Sequence, residues 1–229
     1  MSVIAVTGLA IEARIAARAG VRTVVGGNQA QQLSVALERE MARGASAIIS
    51  FGVAGGLDDG LAPGTWLIAR KIVTATASWH VDAAWARAMR RRLDGAVHAD
   101  VAGVDVVVDK LAAKQALRRT TGAAAVDTES HLVARLAAAH GLPFAAFRVI
   151  ADPARRSLPA AALVALRADG TIDRAAVLQS IRRTPRQLAS LARTAIDTQI
   201  ALRALSRGRR CLGPNLGFAD FDDLLLDVP

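Results

Sequence analysis

"AAAVDTESHLVARLAAAHGLPFAAFRVIAD", residues 123–152, reads as a short buried strand, a helix and a second buried strand. Each strand ends on acid: Asp127 and Glu129 after the first, Asp152 after the second. Outward from this unit the same alternation repeats. Ser2–Thr7, Arg22–Val25 and Ala45–Ser50 read as strands, with helices over Ile11–Arg18 and Gln29–Arg43 between them. The Gln29–Arg43 stretch carries apolar residues at Leu33, Ala36, Leu37 and Met41, the spacing of an amphipathic helix. Gly26–Gly27–Asn28 reads as a turn, and Pro63–Gly64 as a turn leading into a further strand. Val81–Leu93 and Lys110–Thr120 read as helices and Val101–Val108 as a strand. From Pro159 the chain is mostly helical, broken near Thr184–Pro185. Short apolar strands alternating with helices predict one α/β domain over residues 1–229, with helices covering a largely parallel sheet. Ligands of such sheets sit at the carboxyl ends of the strands. Acids placed there can face one shared cleft instead of being stranded in a core.

Bulk properties narrow the class. The 229 residues suffice for one large domain, and 52% hydrophobic content makes the chain globular. The apolar runs are too short to span a bilayer, and no basic n-region precedes one at the start. A single cysteine, Cys211, excludes an internal disulfide, and the expectation is a reducing cytoplasm. The histidines are scattered, so no metal-ligand spacing arises. The net charge of +9 suits an anionic partner or, more blandly, follows from the Arg and Ala abundance of a GC-rich genome.

Two more segments belong with the three acids. In "VTGLAIEARIA" a glycine ends the first strand, and Glu12 lies about a turn into the helix. In "IISFGVAGGLDDGLAPG", Gly52, Gly55 and Gly56 would let backbone approach a ligand and expose N–H groups. No Gly-Lys-Ser/Thr follows, so it is no P-loop, and it lacks the dinucleotide glycine spacing. Asp58 and Asp59 read as a surface turn. Simpler structural roles also exist: Glu12 as a helix-start acid, Asp127 or Thr128 as a cap, Asp152–Pro153 as a turn start.

"FGVAGGL", "AVDTES" and "FRVIAD", in this order, resemble the nucleoside phosphorylase and nucleosidase superfamily, near the methylthioadenosine/S-adenosylhomocysteine nucleosidases. The resemblance covers roughly Ser2–Asp152. It implies a three-layer α/β/α sandwich around a mixed, partly barrel-like sheet, and cleavage of a ribosyl N-glycosidic bond. It makes Asp152 the general acid at purine N7 and Glu12 the residue that positions or deprotonates the attacking water. Glu129 would hold the ribose hydroxyls. Arg148 would shape the nucleophile site, and Val106, Val107 and Val108 would face the base. Substrate contact also falls on Gly52, Val53, Ala54, Gly55, Asp127 and Thr128. Two departures stand out: Val53 where relatives often carry Ser or Thr, and Thr128 where the nucleosidases carry Met. They leave hydrolysis against phosphorolysis, and the 5′ substituent, open. No cofactor is implied, phosphate being a candidate co-substrate, and relatives are commonly oligomers.

"GLAIEAR" and "VDTES" further resemble the hopanoid-associated phosphorylase branch. That branch implies removal of adenine from adenosylhopane, leaving a ribosyl- or phosphoribosyl-hopane. The alternatives are a soluble methylthioadenosine-type nucleosidase or purine nucleoside phosphorylase and, from another class, a basic nucleic-acid binder. Against the last, aromatics make up 3%, Tyr is absent, and no helix-turn-helix or zinc pattern occurs. Between Arg174 and Arg210 nine arginines face one acid, Asp197. Interleaved Leu188, Leu191, Ile196, Ile200 and Leu202 predict amphipathic helices packed on the core with a solvated Arg face. The sharper alternative is peripheral contact with an anionic membrane. The tail "FADFDDLLLDVP" would dock on these helices or on a neighbouring subunit.

Overall fold

The computed structural model describes residues 2–27, 30–167 and 169–218. Asn28 of the expected turn, and the tail from residue 219 onward, lie outside the described residues.

The first strand, β1 (Val3–Thr7), is apolar almost throughout and buried at every position, as in a strand covered on both faces. It pairs in parallel with β2 (Val21–Val25) and with β3 (Ala47–Gly56). The connecting helices are α1 (Ala10–Ala16) and α2 (Ala30–Ala42). At ten residues, β3 is long enough for three neighbours. It runs parallel with β8 (Phe144–Asp152) from Ile48 to Gly55 and antiparallel with β7 (Ala125–Asp127) at Gly55–Gly56. On its other edge β8 pairs antiparallel with β4 (Trp66–Val73), which pairs in parallel with β6 (Val97–Gly103), which pairs in parallel with β7. So β3, β8, β4, β6 and β7 close a hydrogen-bonded ring. From it β1 and β2 extend as a flange, and β5 (Ser78–His80) adds to β4. The remaining helices are α3 (Ala83–Arg92), α4 (Leu111–Thr121), α5 (Ser130–Ala139), α6 (Ala160–Leu163), α7 (Arg174–Arg183) and α8 (Leu188–Leu212). The α1 and α3 helices each pack on α8, which lies against β8; α2 packs with α5. This is the mixed, partly barrel-like α/β architecture. The largely parallel sheet read from the alternation alone needs correcting, because the ring closes through the antiparallel β4–β8 and β3–β7 pairs.

Helix boundaries agree with the sequence reading to within a few residues. Two strands do not. The "FGVAGG" stretch is no loop after a strand ending at Ser50, but the second half of β3. Conversely, β6 ends at Gly103, five residues short of Val108.

The C-terminal arginine segment also departs from expectation. Every buried residue of α8 lies at or beyond Ala201. Leu202 packs inward, but Leu188, Ile196 and Ile200 are 52%, 59% and 42% exposed. The first half of α8 therefore does not lay its apolar stripe on the core. Arg209 is no member of a solvated face either: it is buried, donating from Nε to Ala16 O (3.0 Å), and burial pulls its pKa down to about 10. No helix among the described residues is long and apolar enough to cross a membrane.

Candidate active site

Glu12 sits in the first turn of α1, where an acid suits the exposed N–H groups. Its Oε2 accepts from the backbone N–H of Gly8 (3.0 Å) and Leu9 (2.9 Å), and Oε1 from Val53 N–H (2.7 Å). One carboxylate thus ties the end of β1 to the middle of β3 while only 1% exposed. Burial raises its pKa, opposed by those N–H groups and by Arg148. A carboxylate has about four lone-pair sites, so about one remains for a ligand. Gly52 makes the arrangement fit: a Cβ there would stand 2.7 Å from Oε1.

Glu129 approaches the same turn from α5. Its Oε1 would lie 2.9 Å from a Cβ at Gly8, so only glycine admits both carboxylates around this backbone. It receives the Thr128 hydroxyl (2.5 Å) and lies 3.5 Å from Arg148 Nη2. Burial, then Asp127 and Glu12, push its pKa up to about 7 against the pull of Arg148 and Thr128. Near neutrality Glu129 therefore occupies both protonation states.

Asp127 and Arg148 stand behind Glu129. Asp127 Oδ1 accepts from the N–H groups of Glu129 (2.9 Å) and Ser130 (2.7 Å), and Oδ2 from the Ser130 hydroxyl (2.6 Å). The capping role is thus Asp127's, and its contacts are internal. Arg148 is wholly buried. Its Nε lies 2.9 Å from Asp127 Oδ2, an ion pair by distance whose alignment falls short of a hydrogen bond. Its Nη2 donates to Ser50 (2.5 Å) and Ser130 (3.0 Å). The guanidinium braces the carboxylates from within, reaching toward the nucleophile side only at Val53 O (3.5 Å).

Asp152, the last residue of β8, is held differently. It pairs with the buried Lys114 of α4, whose Nζ also donates to Pro153 O (3.0 Å) and Arg156 O (2.9 Å). Burial raises the Asp152 pKa, and Lys114 works against that rise. Its Oδ2 would stand 3.6 Å from a Cβ at Gly55. Val53, which binds Glu12, and Gly55, beside Asp152, are two residues apart on β3, about 7 Å along a strand. The glycine-rich half of β3 thus separates the Glu12–Glu129 pair from Asp152.

Of the residues singled out in the sequence, the structure gathers Glu12, Glu129, Asp127, Thr128 and Arg148 around Gly8 and β3, with Asp152 at the next strand end. It does not present the β3 N–H groups as an open cradle, since Val53 N–H is taken by Glu12. Val106–Val108 lie in the loop after β6, with Val106 75% exposed. Asp58 does sit in a turn, accepting from Gly60 N–H (2.9 Å). Sequence reading missed Lys114, Ser50 and Ser130. A lysine midway between Leu111 and Leu117 in α4, and a serine inside the apolar run of β3, were the available signals; nothing marked Ser130. Among the described residues no group of three or more His, Cys, Asp or Glu could hold a metal ion.

The profile of the phosphorylase superfamily matches residues 3–197. No curated protein matches the sequence. Among solved structures, a 5′-methylthioadenosine/S-adenosylhomocysteine nucleosidase from Helicobacter pylori superposes with a TM-score of 0.63 at 14% identity, covering 92% of this chain and 96% of its own. The futalosine hydrolase of Helicobacter pylori gives 0.60 at 16% identity (91% and 97%). The 5′-methylthioadenosine/S-adenosylhomocysteine nucleosidase from S. pneumoniae gives 0.58 at 15% identity (90% and 99%). At these identities the likeness establishes the fold.

Proposed function

Because the chain is an enzyme of the phosphorylase superfamily, we propose that it cleaves the N-glycosidic bond of a purine nucleoside. Asp152 would be the general acid, Glu129 the ribose-binding group and Glu12 the partner of the nucleophile. The observation that carries this reading is the division of the acids: two carboxylates around Gly8, and a third beyond β3, held by a lysine. As the C1′–N9 bond breaks, negative charge grows on the purine and positive charge on the sugar. Protonated Asp152 gives its proton to N7; such transfer contributes about 10²–10⁴-fold. Ionised Glu129 accepts the ribose hydroxyls and favours the cationic sugar. Glu12, with about one lone-pair site left, accepts a proton from water as the C1′–O bond forms. With phosphate as co-substrate the attacking oxygen needs no deprotonation. Arg148 positions Glu129.

The proposal extends to the 5′ group: a lipid nucleoside, adenosylhopane, which would place the enzyme in hopanoid biosynthesis. The support is an apolar rim. Gly170, in the segment between α6 and α7, accepts Ala10 N–H (3.0 Å) beside the turn that Glu12 holds. Around that segment Leu163, Val164 and Ile172 are 39%, 47% and 54% exposed, and Ile11 next to Glu12 is 44% exposed. Exposed apolar side chains gathered on one rim suit a peripheral approach to a bilayer. The test is incubation with adenosylhopane and, separately, 5′-methylthioadenosine, each with and without phosphate. Adenine from adenosylhopane is the expected result, and its phosphate dependence separates hydrolysis from phosphorolysis. Adenine from the small substrate alone would replace the lipid reading with a soluble nucleosidase; adenine from neither would overturn N-ribosyl cleavage of adenosine derivatives.

A further inference from the structure

A cavity of about 520 Å³ lies among β4, β5, β6 and α3, and none of Glu12, Glu129, Arg148 or Asp152 lines it. Into it come Arg70 and Lys71 from β4, Arg87 and Arg90 from α3, and His98 and Asp100 from β6. Three residues apart on one helix, Arg87 and Arg90 share a face. Asp100 meets both Arg70 and Lys71 because β4 bulges against the parallel β6: Ala69 lies opposite Ala99 but Ile72 opposite Val101, so two residues of β4 share one on β6. Asp100, only 8% exposed, lies 3.0 Å from Arg70 Nε and 3.8 Å from Lys71 Nζ, which anchors both heads at the wall. Four cationic side chains against one carboxylate leave three positive charges in excess. Among the described residues, neither Arg87 nor Arg90 takes part in any salt bridge.

Concave walls of one sign focus the field and concentrate counter-ions. Guanidinium forks match phosphate oxygens bidentately. The imidazole adds a specific gap: His98 Nε2 is buried and has no hydrogen-bond partner. Burial, then Arg90 and Arg70, hold the His98 pKa down, so the ring is a neutral polar group amid the cations. The volume falls within the roughly 300–1,000 Å³ of small-molecule sites and far exceeds a bare phosphate. Val81 and Ala86 supply an apolar wall for the remainder of a ligand. We infer that this cavity binds a phosphate ester carrying an organic body, at a site separate from the carboxylates. The ester is either a soluble metabolite or a lipid headgroup.

Isothermal titration of the full chain with inorganic diphosphate at about 0.15 M salt, where the screening length is ~8 Å, tests the shared chemistry. Saturable binding is expected, weakened tenfold or more by Arg87→Glu/Arg90→Glu. It should change less than twofold in Arg182→Glu/Arg183→Glu, which makes the same charge change on α7. Should the first variant fail to fold, Arg87→Gln/Arg90→Gln takes its place. Absence of saturable binding, equal weakening in both variants, or binding indifferent to Arg87 and Arg90 would each overturn the site. Flotation with phosphatidic acid/phosphatidylcholine vesicles separates the sources. Flotation that depends on Arg87 and Arg90 and is competed by diphosphate identifies a headgroup. Flotation indifferent to them, with diphosphate binding that needs them, identifies a soluble ester.

Discussion

Gly52→Ala tests the central feature of the site, the fit of Glu12 against β3. The added Cβ would stand 2.7 Å from Glu12 Oε1 and 2.8 Å from both Cδ and Oε2. Ordinary contact begins at 3.4 Å, so the carboxylate must retreat by about 0.7 Å. It cannot do so and keep the 2.7 Å bond from Val53 N–H. A hydrogen bond to a charged group is worth about 1.5–3 kcal/mol. At about 1.4 kcal/mol per factor of ten, turnover should fall about ten- to hundredfold. For a chain of this size the melting temperature should drop by about 3–12 °C. Adenine release and thermal unfolding measure the two effects. The decisive comparison is a double-mutant cycle on stability. In Glu12→Ala the new methyl meets no carboxylate, while any backbone contribution at Gly52 is common to both backgrounds and cancels. Coupling of about 1 kcal/mol or more is expected for residues in contact. If Gly52→Ala destabilises Glu12→Ala as much as it does the wild type, the contact with Glu12 is not what the glycine serves, and the reasoning is refuted.

Asp152→Asn should lower adenine release by about 10²-fold or more with the fold retained but the melting temperature lowered, since the buried Lys114 loses its charged partner; near-normal turnover would remove Asp152 from the acid role. Lys114→Met removes the group that opposes the raised Asp152 pKa. The carboxyl should then stay protonated to higher pH, moving the alkaline limb of the pH–rate profile upward; an unmoved limb would mean that Asp152 does not govern it. Glu129 is raised from 4.5 to about 7 in the fold, so between those pH values the folded chain holds a proton that the unfolded chain releases. Its contribution is complete below about 4.5 and is lost as pH rises through about 7, by roughly 3 kcal/mol at most. Urea unfolding across that window should show the decline in wild type and a flatter curve in Glu129→Gln; identical curves would contradict the assignment. Arg182→Glu/Arg183→Glu/Arg186→Glu should reduce co-flotation with anionic liposomes, each basic residue contributing about 1 kcal/mol. Release of adenine from a short, water-soluble 5′-alkyl adenosine should be spared, and equal loss of both would make the basic face structural.

What the sequence by itself determined is what short-range periodicity encodes. Apolar runs such as Val3–Val6 and Phe144–Ile150 have no amphipathic way to be exposed, so they read as covered strands, and the acids after them mark strand ends. That marks Asp127, Glu129 and Asp152 at strand ends and Glu12 a turn into the helix after the first strand; their roles come from the resemblance, not from periodicity. Tertiary structure decided what each acid touches. Asp127 and Glu129 are two residues apart and chemically alike. One is consumed by the start of α5 and by Arg148, while the other turns to Gly8 and is left near neutrality. The partner of Asp152 lies 38 positions away in α4, and no local pattern links the two. Glycines read as an open loop became strand because β8 and β7 pair with them from distant parts of the chain. The same holds for α8. Periodicity showed an apolar stripe from Leu188 to Leu202; only tertiary packing decided that Leu202 and Leu205 are covered while Leu188 and Ile196 face outward.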